Sequence, residues 1–226
     1  ISLQYHEVDI ILNLTSLYAG SNTPSCPFEN ISLWANYIYL DTDERRRFAQ
    51  VSHEYLIEQV QEHSVGTANI TNETLNFNHP VKELIWCNMD GSGVVGTSTG
   101  ELVTVNNDHS LKLVLNGSDR FKERNCKYFT KTQVYQHHTG GGLDALTRSA
   151  GFRHATSTGN LSETIGVYSF ALKPEEHQPS GTCNFSRIDS AQLQKTSGTI
   201  AITHIFAVNY NVLRIMSGMG GLAYSN

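Results

Sequence analysis

The chain has 226 residues, of which 39% are hydrophobic, 9% aromatic and 16% charged, which supplies a packed core and excludes a disordered chain. Sixteen Lys and Arg against twenty-one Asp and Glu give a net charge of −5, and the one short basic run is Arg45–Arg47, so packaging nucleic acid through its phosphates is not expected. No apolar stretch approaches the roughly 20 residues that cross a bilayer, and no basic-then-apolar signal segment opens the sequence.

The chain begins at Ile1 without a Met, inside a strand-like segment, Leu3–Leu12, and is expected to be a fragment or a processed product. A second strand-like run, Leu33–Leu40, precedes the one helix candidate, Asp41–Ala49. There Asp41 can cap the first turn while Asp43 and Glu44 complement the positive helix end, so 41–53 reads as a linker with a helical turn. Further short strands are expected at Tyr55–Gln61, Thr74–Phe77, Val81–Cys87, Leu111–Leu115, Tyr128–Tyr135 and Ile165–Leu172. The clearest is Thr199–Met216, in which Ile200, Ile202, Phe206, Val208, Tyr210 and Val212 recur with period two. Turn-rich stretches punctuate them at Asp90-Gly91-Ser92-Gly93, Asn116-Gly117-Ser118 and Pro179-Ser180-Gly181. Many short strands with such punctuation point to an all-β jelly-roll sandwich. Leu33–Leu40 weakly echoes Ile205–Val212 in aromatic, Ala and Asn-Tyr content, as though each were a late strand of its own unit.

Cys26, Cys87, Cys126 and Cys183 are widely spaced, contain no C-x-x-C pair and read as free, mostly buried thiols. His137, His138, His154 and His177 form the best metal-ligand candidates, but adjacent His137 and His138 would point to opposite faces of a strand, so structural histidines are preferred and no metal or cofactor is expected. Glu175-Glu176 would diverge on an extended chain instead of flanking a glycosidic bond, and a solvated loop is the better reading. Gly91-Ser92-Gly93 and Gly140-Gly141-Gly142 lack the strand-loop-helix context and the Lys of a phosphate cradle, and no G-x-S-x-G elbow is present. Sequons occur at Asn13, Asn30, Asn69, Asn72, Asn116, Asn160 and Asn184. Asn160, Asn116, Asn72, Asn69 and Asn30 are the candidates for N-glycosylation, with Asn160 the best and Asn184 structural.

Seven ordered stretches carry a resemblance. They are Leu40–Gln50 with His53–Gln59, Asn78–Trp86, Leu115–Phe121, Tyr135–Thr139, Ser169–Gly181, Asn184–Asp189 and Asn209–Asn226. Together the sequence resembles the major capsid proteins of nucleocytoplasmic large DNA viruses, those of phycodnaviruses, iridoviruses and mimivirus-like viruses. The resemblance implies two tandem jelly rolls per subunit, a homotrimeric capsomer of pseudo-hexagonal outline, and an icosahedral virion shell around an inner membrane, assembled in the host cytoplasm. It implies contacts with neighbouring capsomers and with minor capsid and penton proteins, contact with the membrane only indirectly, no direct nucleic-acid binding, and no enzymatic role.

On this basis 1–40 are expected to be the last strands of a first jelly roll, 41–53 the linker, and 54–226 the second jelly roll with an inserted loop at about 140–163. Arg45, Arg46 and Arg47, paired by Asp41, Asp43 and Glu44 and by acids of the adjoining unit, are expected to fix the orientation of the two units. Two departures stand out: Ser118 occupies a position that is often His in the family, and 140–163 is longer than usual. The alternative reading is a jelly-roll carbohydrate-binding module on a virion or cell surface.

Overall fold

The computed structural model describes residues 2–11, 32–65, 70–89, 102–103, 109–139, 165–198 and 202–224. They divide into two compact units, one holding the chain up to Ile57 and again from Val212, the other Glu58–Gly91 and Gly100–Asn211.

The fold is mostly β, in two antiparallel sheets. The elements in chain order are α1 (Thr42–Gln50), β1 (His53–Ser64), β2 (Asn72–Thr74), β3 (Pro80–Met89), β4 (Leu102–Val103), β5 (Ser110–Leu115), β6 (Ser118–Asp119) and β7 (Arg124–Asn125). A π-helical turn over Tyr128–Thr132 runs into α2 (Gln133–His137), followed by β8 (Ile165–Ser169), β9 (Cys183–Asn184), a 3-10 turn at Phe185–Arg187, β10 (Ala191–Ser197), β11 (His204–Met216) and β12 (Met219–Leu222). One sheet runs β1-β11-β3-β4, with β8 and β9 on β3 and β12 on β11; the other runs β2-β10-β5-β6, with β7 on β5.

In the second unit, alternation along the strands makes the core. Leu111 and Leu113 of β5 and Ala191 and Leu193 of β10 pack in one cluster with Val81, Leu84 and Trp86 of β3 and Ile205 and Ala207 of β11. Each fully buried aliphatic side chain of this kind stabilises by about 1.5–3 kcal/mol. Phe129 closes the cluster edge-on to Trp86, with ring centroids 5.1 Å apart. Two-residue turns set the hairpins: Asn116 and Gly117, both at positive φ (49° and 77°), link the paired residues Leu115 and Ser118.

Several sequence expectations need correction. Tyr128–Tyr135, expected as strand, is helical. Its buried residues Phe129, Thr130 and Gln133 continue from the buried Cys126 just before it as the i, i+3, i+4, i+7 stripe of one helix face, and two of these four are polar, which hides the period. The Thr199–Met216 ladder starts at His204, and the strand expected at Thr74–Phe77 lies instead at Asn72–Thr74. Leu75 and Phe77 are buried beyond it, outside the ladder. Residues 3–11 and 33–40 form no strand, because no described residues supply them with a ladder.

In the first unit, Ser217 (φ 54°) and Gly218 (φ 80°) turn β11 into β12 between the paired residues Met216 and Met219. The Tyr5 amide donates to the Gly218 carbonyl at 3.1 Å, and a Cβ on Gly218 would meet the Tyr5 ring at 2.8 Å. This packing groups Val212–Leu222 with the N-terminal residues. Arg214 forks onto Glu54 Oε1, Nε at 2.7 Å and Nη2 at 2.6 Å.

Candidate functional site: exposed assembly surfaces and a buried ion cluster

Helix α1 begins where Asp41 caps it. The Asp41 carboxylate accepts from the Thr42 amide at 2.7 Å, and the Asp41 amide donates back to Glu44 Oε2 at 3.4 Å, a capping box. These two acids are turned to the helix N-terminus, so the pairing expected of them with the arginines does not form. Among the described residues no ion pair joins Arg45, Arg46 or Arg47 to an acid, and the helix buries no residue. Asp43 is exposed beside them, leaving a fully solvated basic face.

Upstream lies an apolar segment of unusual exposure for so apolar a sequence. Leu33, Trp34, Tyr37, Ile38 and Tyr39 all face solvent, with Trp34 and Tyr39 each 92% exposed. Tyr5, Val8, Ile10 and Ile11 are likewise uncovered. A large apolar surface of this kind, on backbone that makes no ladder, is the mark of an interaction surface.

The second unit carries a buried ion cluster that the sequence reading did not anticipate. The β3–β11 register shifts, so that Glu83 faces Val208 while Val81 faces Asn209, and Lys82 is the extra residue. Val81 and Leu84 enter the core, whereas Lys82 and Glu83 make polar contacts away from it. Lys82 Nζ pairs with Glu58 at 2.8 Å and lies 5.6 Å from the centre of the Tyr210 ring. Glu83 Oε2 lies 3.1 Å from His138 Nε2, within ion-pair reach but off hydrogen-bond alignment. On the other side of the same ring, Nδ1 lies 3.1 Å from Glu175 Oε1. Glu175 Oε2 also accepts from the amide of Thr139 at 3.0 Å and its hydroxyl at 2.6 Å. Burial pushes the Glu83 carboxyl above its ordinary range, against the pull of His138 and Lys82, while the Thr139 bonds hold that of Glu175 below it. The sequence signal was present: a Lys-Glu pair interrupts the apolar run of β3.

His137 and His138 stand at the end of α2 and not on a strand; His137 Nδ1 contacts the Leu172 carbonyl at 3.0 Å, and His177 is exposed, 3.9 Å from Glu58. His154 lies outside the described residues, and among those described no group of His, Cys, Asp and Glu is arranged to hold a metal. Glu176 diverges from Glu175 and pairs with Lys173 at 2.8 Å. Burial raises the thiols of Cys87 and Cys183, which are free, and Cys126 is buried; Cys26 lies outside the described residues.

Of the sequons, Asn72 is exposed on β2. Asn116 Oδ1 accepts from the amides of Asp189 and Ser190, and Asn184 Oδ1 caps Ser186 at 3.1 Å, so both carry structural bonds. Asn13, Asn30, Asn69 and Asn160, and all of 140–163, fall outside the described residues.

The sequence matches the family described as large eukaryotic DNA virus major capsid protein over residues 44–142 and 150–221. The chain belongs to that family. The seven residues between the two matched stretches fall inside the expected insertion at 140–163. Among capsid relatives, the major capsid protein of Pyramimonas orientalis virus is 50% identical over the whole chain and 57% of its own length. That of Paramecium bursaria Chlorella virus 1 is 38% identical over the whole chain and 62% of its own length. A solved structure of the latter virus's capsid superposes with a TM-score of 0.62 at 36% identity, over 84% of this chain and 56% of that one. The all-β capsid fold is therefore the one expected. The chain spans somewhat over half the length of these capsid relatives.

Proposed function

We propose that this chain is the greater part of a structural subunit that self-assembles, as a homotrimer of pseudo-hexagonal outline and then capsomer against capsomer, into the icosahedral shell of a large double-stranded DNA virus. Residues 54–226 correspond in this reading to a second jelly roll carrying an inserted loop at about 140–163, residues 41–53 to the join, and residues 1–40 to strands that complete a first jelly roll. A trimer of such two-barrel subunits presents six similar barrels around one axis. Minor capsid and penton proteins would meet its edges, the inner membrane would be touched only indirectly, and assembly would take place in the host cytoplasm. The reading gives the chain no catalytic step, no cofactor and no direct contact with the genome.

The observation that carries it is the uncovered apolar segment Leu33–Tyr39, in a family member that spans somewhat over half the length of its relatives. Apolar side chains on unpaired backbone are the complement of a further set of strands. Arg45, Arg46 and Arg47, with Asp43 and Glu44 beside them, form the basic helix face next to that segment and are assigned to orienting the two jelly rolls. Family membership favours the shell over a carbohydrate-binding module.

The test uses the intact capsid protein. Light scattering is expected to give a trimer, and changing Arg45, Arg46 and Arg47 together to Gln is expected to impair trimer or shell formation while leaving any DNA affinity unchanged. A stable wild-type monomer, or a large loss of salt-dependent DNA affinity in the triple variant, overturns the proposal.

A further inference from the structure

The ion cluster of the second unit holds more acid than base. Glu58, Glu83 and Glu175 are three carboxylates, and Lys82, committed to Glu58, is the one fixed cation in contact with them among the described residues. His138 stands between the remaining two acids, with one ring nitrogen toward each. The Glu83 and His138 side chains are 8% and 18% exposed, and the facing atoms, Oε2 and Nε2, are closed off from solvent. Neither atom has a hydrogen-bond partner elsewhere among the described residues. Other groups around the cluster are Tyr210, whose hydroxyl is buried beside Glu58 and Glu83, and the exposed His177 near Glu58. His137, next to His138, is occupied by the Leu172 carbonyl.

Hydrogen-bond chemistry decides how many protons this arrangement needs. A doubly protonated imidazole donates to Glu175 from Nδ1 and sets its positive charge 3.1 Å from the Glu83 carboxylate. A neutral imidazole leaves no charge uncompensated if Glu83 is itself protonated, since Nδ1–H still donates to Glu175 and no buried carboxylate then faces Nε2. Either way the pair carries one proton beyond imidazole and carboxylate, and it belongs to the pair and not to one atom. Remove it and a single N–H faces two carboxylates, one of them buried. Burying an unneutralised carboxylate is strongly unfavourable, so the contact must open.

The cluster also ties down a particular junction. His138 and Thr139 are held by Glu175, and His137 by Leu172, immediately before the chain enters residues 140–164. We propose that His138 and Glu83 share one proton as a latch fastening residues 137–139 to residues 172–175, and that withdrawing this proton as pH rises releases the junction. The direction follows from linkage. Burial raises the Glu83 carboxyl, so its proton is bound more tightly folded than unfolded, and the stabilisation is present at lower pH and lost as pH rises through the folded value. Glu175, whose carboxyl is lowered by Thr139, stays ionised well into the acid range, so its contacts do not open first as pH falls from neutral.

Hydrogen exchange of the intact capsid protein tests this, read on the amides of residues 137–139 and corrected for the chemical exchange rate at each pH. As pH is raised from about 5 to about 9.5, a range that starts near the ordinary carboxyl value, their protection is expected to fall by about tenfold or more, while the amides of β10, in the other sheet, stay protected. In Glu83→Gln the acid that demands the proton is gone, and protection should no longer change with pH. A wild-type protection that is flat over this range overturns the latch whether or not the variant folds. So does an undiminished step in Glu83→Gln. In His138→Gln the step must also vanish, and its persistence would assign the titration to another group.

Discussion

Replacing Gly166 with Ala tests the packing of the β3–β8 contact. Gly166 lies opposite Trp86 in the ladder, and a Cβ there would overlap the indole, 2.5 Å from Cε2 and 2.9 Å from Cδ1 and closer still to Nε1. Trp86 is buried and packs on Phe129, so the ring has nowhere empty to go. Overpacking a filled core costs about 1–3 kcal/mol, and losing the edge contact with Phe129 adds about 0.5–1.5 kcal/mol if the ring moves away. At about 2–4 °C per kcal/mol for a domain of this size, the melting temperature of the intact protein should fall by about 2 °C at the least and by more than 10 °C at the most. All three atoms that meet the Cβ, Nε1, Cε2 and Cδ1, belong to the five-membered ring of the indole, which Phe lacks. Trp86→Phe should therefore cost less in the Gly166→Ala background than alone, with a coupling of about 0.5–3 kcal/mol in the double-mutant cycle. A Gly166→Ala variant that melts with wild type, or a strictly additive double mutant, would refute the close approach.

Asn116→Ala removes the acceptor of the Asp189 and Ser190 amides and places a Cβ-bearing residue without a polar side chain at φ 49°, and it should cost about 1–3 kcal/mol in a denaturant melt, with Asn116→Gly milder in its backbone cost. Gln133→Leu keeps the volume but leaves the Ser169 amide and the Tyr128 hydroxyl without their partner, so it should lower stability by about 1–3 kcal/mol; a neutral or stabilised variant would mean that the buried amide is dispensable.

The strands that carry the core were legible as strands, and alternation along Leu111–Leu115 reports directly which side chains enter it, but Ile205–Val212 is apolar on both faces, and it is Ile205 and Ala207 that enter the core while Phe206 and Val208 stay half-buried. The turn at Asn116-Gly117 and the capped helix after Asp41 were equally local, since each depends on residues a few positions apart. β10 escaped notice because its buried residues are just Ala191 and Leu193, spaced by glutamines, and a pattern of two apolar positions does not stand out from a loop. The helical segment at 128–137 was misread for a related reason. Its buried stripe ends in Thr130 and Gln133, and Gln133 is buried because Ser169 and Tyr128, distant and near in sequence, satisfy its amide. The ion cluster was illegible as a site because its members, Glu58, Lys82, Glu83, His138 and Glu175, come together through the ladder and the residue 170–181 turn, not through any spacing.

Leu33–Leu40 and Ile205–Val212 show where sequence reasoning stops for a physical reason. Both carry the same kind of aromatic and β-branched composition, and both read as late strands of related units. Ile205–Val212 forms a strand because β3 offers it a matching edge, with Ile205 opposite Trp86 and Ala207 opposite Leu84, so that its inward side chains meet a core. Leu33–Leu40 has no such edge among the described residues, and Trp34 and Tyr39 remain in solvent. Strand propensity fixes what a segment can do when a partner is present, not whether the partner is there. A segment of the same composition is therefore core in one place and exposed apolar surface in another.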